Sequence, residues 1–166
     1  MPDFEPERIL EVLVAHDVEF VLIGGLAAAA HGSPFLTEDV DVTPERSGAN
    51  LDHLSAALKA LDARIRRQGV EGGLPFDHDG ESLASTGVWN LTTRYGDLAI
   101  SFVPTGTDGF PDLNRQAKAT EVFGLVVRLA ALEDIVRSKQ AANRPKDQRV
   151  LPTLREILAN RDLDEK

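Results

Sequence analysis

Hydrophobic positions along the chain fall into two rhythms, one of helices and one of strands. Ile9, Leu10, Leu13 and Val14 recur at helical spacing within 6–16, and Pro6 suits the first turn of that helix. Val18 to Ile23 is a β-branched and aromatic run that predicts a buried strand, and Leu26 to Ala30 predicts a short helix of small side chains. A second strand follows over Asp39–Thr43. Ser47 is the expected cap of a helix whose inner face carries Leu51, Leu54, Ala57, Leu58 and Leu61. The stretch 68–87 holds five glycines and a proline without periodicity, and predicts a long, mobile loop bordering a functional cleft. Val88–Thr93 and Asp97–Val103 predict a hairpin across Arg94-Tyr95-Gly96. Beyond it come a short helix over Pro111–Ala119, an extended run over Val122–Ala130 and a helix over Leu132–Ala142 that Pro145 ends. Pro152 is expected to open a last helix to about Asn160, burying Leu154, Ile157 and Leu158. The alternation predicts one α/β (α+β) domain over 1–160, a mixed central sheet flanked by helices, with a polar tail over 161–166.

Chemistry concentrates between the first two strands. Gly24-Gly25 permits a tight turn and a close backbone approach to a ligand, and the N–H groups opening the next helix suit a phosphate. On the second strand Asp39 and Asp41 point to one face while Val40 and Val42 point to the other. Two adjacent carboxylates repel unless a cation or proton lies between them. Mg²⁺ and similar hard cations commonly combine one or two carboxylates with substrate phosphates, so the segment reads as a metal–nucleotide site. The plainer alternatives are a strand-to-helix turn for the glycines and surface acids on an edge strand for the aspartates. The valines beside them favour an internal strand instead.

Composition narrows the field. The chain has 166 residues, enough for a single core burying about 70% of the unfolded surface, and its 42% hydrophobic content is ordinary for a globular domain. The longest apolar run, Phe20 to Ala30, is 11 residues long and too short to span a bilayer, and the first residues lack a signal-peptide pattern. No membrane association and a cytoplasmic location are the expectations. Without cysteine there are no disulfides or thiolate metal sites. A net charge of −9 opposes binding to phosphate backbones, leaving Arg64–Arg67 and the stretch Arg137–Arg149 as the basic candidates. The former reads more simply as a solvated strand or loop edge.

The order strand, Gly24-Gly25, short helix, Asp39-Val40-Asp41 resembles the nucleotidyltransferase-fold superfamily related to DNA polymerase beta. Ala30-His31-Gly32-Ser33-Pro34 with Thr37-Glu38-Asp39-Val40-Asp41 is similar to small bacterial nucleotidyltransferase-like proteins grouped with AbiEii-type toxin components. The similarity continues through Thr93–Leu98 and Leu132–Ile135 to Arg144-Pro145-Lys146-Asp147. It implies Mg²⁺ or Mn²⁺ on Asp39 and Asp41, a nucleoside triphosphate substrate, and transfer of a nucleotidyl group to a hydroxyl of a protein, an RNA or a small molecule. By analogy it also implies a cognate antitoxin-like partner in a toxin–antitoxin system.

The resemblance also implies a third carboxylate on a later strand, and the aligned position here is Ala99. Asp97 lies on the same strand face, but two residues along a strand is about 6.6 Å, against a Mg²⁺–oxygen distance of about 2.1 Å. Two outcomes stay open: Asp97 completes a catalytic set, or the chain is a binding module that has lost turnover. Lys139 lies on the apolar stripe of its helix with Leu132, Ile135 and Val136, and either snorkels to water or reaches a nucleotide phosphate. Arg144 and Lys146 read as solvated charges, and Asp147 as a cap or tether. Ser33 and Thr37 either bond triphosphate oxygens or stabilise the turn before the strand. His16, His31, His53 and His78 are scattered, which disfavours zinc. Trp89 and Tyr95 are expected to pack, and Asn90 is a polar candidate for the cleft.

Overall fold

A computed structural model describes residues 3–164. In chain order the elements are α1 (Pro6–Ala15), β1 (Phe20–Ile23), α2 (Gly24–Ala30), β2 (Asp39–Pro44), α3 (Gly48–Ala60), β3 (Arg64–Arg67), β4 (Val70–Leu74), α4 (Gly80–Leu83), β5 (Val88–Thr93), β6 (Gly96–Ser101), α5 (Phe110–Gln116), β7 (Lys118–Val122), β8 (Leu125–Leu129), α6 (Leu132–Ala142) and α7 (Pro145–Asp164). The strands form one eight-stranded mixed sheet in the order β4-β3-β5-β6-β2-β1-β8-β7. β2 runs antiparallel to β1 and parallel to β6, so it is internal, as its valines require. Burial alternates along both strands: Val40, Val42, Leu98 and Ile100 are buried, while Asp39, Asp41, Asp97 and Ala99 are half-buried on the opposite face. Helix α1 supplies Ile9, Leu10 and Leu13 to the core and packs on α3, whose Leu51, Leu54, Ala57 and Leu58 are buried as the pattern predicts. The Ser47 side chain accepts from the Asn50 N–H, the expected cap.

Four expectations need correction. The stretch 68–87 is not a long loop. Arg67 pairs with Val70 across a two-residue turn at Gln68-Gly69, with Gly69 at φ +82°, and the β3–β4 hairpin extends the sheet. Gly73 is needed there because a Cβ would stand 2.7 Å from the Ile65 carbonyl oxygen. The remainder is anchored: Phe76 stacks on Trp89 at 5.5 Å, Asp79 and Ser82 form a capping box, and Leu83 is fully buried. None of its residues lines the large cleft described below.

The extended run after α5 is instead two strands, β7 and β8, joined at Phe123-Gly124. Both turn residues have positive φ, as a tight hairpin with matching twist demands, and α5 accordingly stops at Gln116.

The last helix opens at Pro145, and Pro152 lies within it. Pro145 occupies a position whose N–H would be unpaired anyway, and the Asp147 carboxylate accepts the Arg144 N–H just before it. Burial of Leu151 and Leu154 on either side carries the helix across Pro152. Finally, residues 161–164 continue this helix, with Arg161 paired to Glu133, while residues 165 and 166 of the expected tail lie outside the described part. No described helix is long and apolar enough to cross a membrane.

Candidate functional site

The turn at the end of β1 sets the geometry. Ile23 pairs with Asp41 across β1 and β2, and the chain leaves the sheet at Gly24, whose φ is +71°. A Cβ there would meet the Asp41 side chain, so this backbone approach is open only to glycine. Gly25 faces Thr37, whose hydroxyl donates to the Asp39 carbonyl oxygen at 2.9 Å and fixes the entry into β2. Ser33 Oγ accepts weakly from the Phe35 N–H at 3.4 Å. His31, at the end of α2, bonds through Nε2 to the Ala130 carbonyl oxygen at 2.8 Å and ties α2 to the residue just after β8.

These residues open onto one cleft of about 900 Å³. Gly24, Gly25, Ser33, Thr37, Asp39, Asp41, Asp97 and Lys139, each proposed from sequence, all line it, as does Asn90. Burial pushes the Asp41 carboxyl up to about 7, with the adjacent Asp39 adding to the rise and Lys139, Lys146 and Arg144 opposing it. A pair strained in this way, made only of carboxylate oxygens and open to a cleft, fits a hard divalent cation. Among the described residues no third His, Cys, Asp or Glu joins it in one ligand cluster.

The opposite wall comes from α6 and α7. Lys139 is mostly buried, and its Nζ lies 3.8 Å from Asp147 Oδ1. Asp147 itself is fully buried and receives the Arg144 guanidinium at 2.7 and 3.2 Å. Burial alone would raise the Asp147 pKa, but the side-chain and backbone hydrogen bonds from Arg144, with the charges of Arg144 and Lys139, outweigh it and hold the carboxyl below its usual value. The expected role of Asp147 as a cap and tether is therefore found. Arg144 and Lys146 are exposed, as expected of solvated charges, and both also line the cleft, within the basic stretch Arg137–Arg149 that the charge balance singled out.

Register decides how Asp97 and Ala99 stand to the pair. In the parallel β2–β6 ladder Asp97 lies beside Asp39, and Ala99 lies beside Asp41. Asp97 thus neighbours the first aspartate laterally. Its Oδ2 is bonded by Arg66 Nη1 at 2.8 Å. Arg66, read from sequence as part of a solvated edge, is a cleft residue. The signal for it was the alternation along Arg64-Ile65-Arg66, which sends both arginines to one face of β3.

No protein-family model and no curated protein matches the chain. Among solved structures it superposes on the antibiotic-resistance factor ANT(2'')-Ia with a TM-score of 0.54 and 14% identity, over 95% of this chain and 91% of that one. It also superposes on a Thermotoga maritima protein carrying a nucleotidyltransferase assignment, with a TM-score of 0.52 and 18% identity, over 96% and 97% of the two chains. The fold is nucleotidyltransferase-like.

Proposed function

We propose that the chain binds a nucleoside triphosphate together with Mg²⁺ or Mn²⁺ and transfers a nucleotidyl group to a hydroxyl acceptor. The observation that carries this reading is the opposition, across one cleft, of the Asp39–Asp41 pair and the cations Lys139, Arg144 and Lys146. Asp39 and Asp41 would hold the cation, which neutralises phosphate charge when bound. The turn at Gly24-Gly25 lets the triphosphate approach the backbone, and Ser33 and Thr37 line its path. Lys139 and its neighbours offer positive charge to the phosphates, so the chain's contribution is positioning and charge compensation. In the reaction the acceptor oxygen bonds to the α-phosphorus, the α–β bridging bond breaks, pyrophosphate leaves, and the hydroxyl proton passes to a cleft carboxylate.

A second reading has its own observation. Ala99 stands beside Asp41 where the sequence resemblance calls for an acid, which supports a binding module without turnover. The AbiEii-type resemblance extends either reading to a toxin–antitoxin pair with a cognate antitoxin-like partner.

Incubation with each labelled nucleoside triphosphate, Mg²⁺ or Mn²⁺, and total cellular RNA and protein separates the two readings. Label transferred by the parent and lost in Asp39→Asn/Asp41→Asn supports the enzyme. Metal-dependent nucleotide binding without transfer supports the module, and metal-independent binding in both proteins overturns both.

A further inference from the structure

We propose that Arg66 is a positioning residue that withholds Asp97 from the Asp39–Asp41 pair, making Asp97 a third cation ligand available only once the guanidinium is drawn off. The inference rests on the metal-binding reading above. Three features of the sheet carry it. Asp97 is the direct lateral neighbour of Asp39 on the cleft face, and adjacent strands lie about 4.8 Å apart, close enough for two carboxylates to share one cation. Its carboxylate is instead engaged by Arg66 at 2.8 Å, reaching in from β3 on the far side of β5. Ala99, two residues further along β6, places only a methyl group on this face beside Asp41 and Asn90.

The arrangement has an electrostatic logic. Three free carboxylates on adjoining positions would repel one another when no cation is present. Arg66 neutralises the outermost of the three. The pair is also weakly held. The Arg66 and Asp97 side chains are 43% and 33% exposed, and ion pairs in such surroundings exchange at small cost. A divalent cation at the aspartates, or an anion competing for the guanidinium, is enough to shift the balance. A site that looks one acid short thereby keeps the acid one residue pair away, under the control of an arginine.

The test uses the full chain and Mn²⁺ alone, with binding followed by the loss of the free-ion electron paramagnetic resonance signal. Arg66→Gln is expected to tighten Mn²⁺ binding about two- to fivefold, the range that exchange of an exposed ion pair allows. The gain should vanish when the same change is made in an Asp97→Asn background, and Arg66→Lys, which keeps the pair, should bind like the parent. A gain that persists without Asp97 would mean that only a positive charge had been removed, and no gain at all would mean that Asp97 is not withheld; either result overturns the proposal. If parental binding depends on Asp39 and Asp41 but the cycle is additive, this inference alone fails. If the parent binds no Mn²⁺, the functional reading fails with it.

Discussion

Asp41 and Gly24 compete for one volume: a Cβ on Gly24 would stand 2.7 Å from the Asp41 Cβ and closer still to its carboxylate. Gly24→Ala therefore meets two penalties, a positive φ and a displaced aspartate. A destabilisation of about 1–3 kcal/mol is expected, with metal-dependent nucleotide binding lost even where the protein remains folded. Thermal melts beside calorimetric titrations check this, and a Gly24→Ala variant with parental metal-dependent affinity would contradict it.

Burial works against charge on Asp41, so function and stability pull apart at this residue. Asp41→Asn should raise the melting temperature of the metal-free protein, at about 2–4 °C for each kcal/mol of relieved burial penalty and repulsion, while weakening Mn²⁺ binding at least tenfold. Differential scanning calorimetry with and without Mn²⁺ reads both effects. A metal-free Tm below that of the parent would show that the aspartate is not strained.

Asp147 shows the reverse balance. Its carboxyl sits below the usual value, so its stabilising effect is complete above about pH 4, the unfolded value, and is lost as pH falls through the lower folded one. Asp147→Asn should cost about 1.5–3 kcal/mol at pH 7 by weakening the charge-assisted bonds from Arg144 and removing the charge facing Lys139. In urea unfolding the gap between parent and variant should narrow at acid pH. A gap independent of pH would point to lost packing alone.

Ala99→Asp places a carboxylate beside Asp41. Under the enzyme reading nucleotidyl transfer should rise at least several-fold, since a well-placed general base contributes about 10²–10⁴ in rate. Mn²⁺ affinity should rise as well, and metal-free stability should fall. Transfer unchanged while Mn²⁺ binds more tightly would show that the missing acid is not what limits turnover.

The sequence revealed most where local pattern and tertiary need coincide. The valines flanking Asp39 and Asp41 announced an internal strand, and the alternation of Leu98, Ile100 and Phe102 announced the strand beside it. Gly24 was legible as a turn, although the reason only glycine fits, the Asp41 side chain behind it, depends on register. The β3–β4 hairpin escaped because Gly72 and Gly73 look like breakers in a linear reading; the contact that requires Gly73, with Ile65 on the paired strand, exists only once the hairpin has formed. Pro152 misled for a related reason, since its helix is carried by buried leucines on both sides. The basic wall was legible only as a stretch: the charge balance singled out Arg137–Arg149, but nothing local tells which of its residues face the aspartates until α6 and α7 place them.

The placement of charge has a kinetic side. The chain carries 27 acidic against 18 basic residues, and its cleft is divided: Lys139, Arg144, Lys146 and Arg149 gather on the α6–α7 side, while Asp39, Asp41 and Asp97 come from β2 and β6. A polyanion approaching from a distance meets a repelling body and feels attraction only beside the basic α6–α7 side, over a range comparable to the screening length of about 8 Å at physiological salt. Moderate salt thins the long-range repulsive halo more than it weakens short contacts made at that basic side. Capture of an anion by this protein should therefore quicken as salt is first added, the reverse of what a basic nucleotide-binding surface would do.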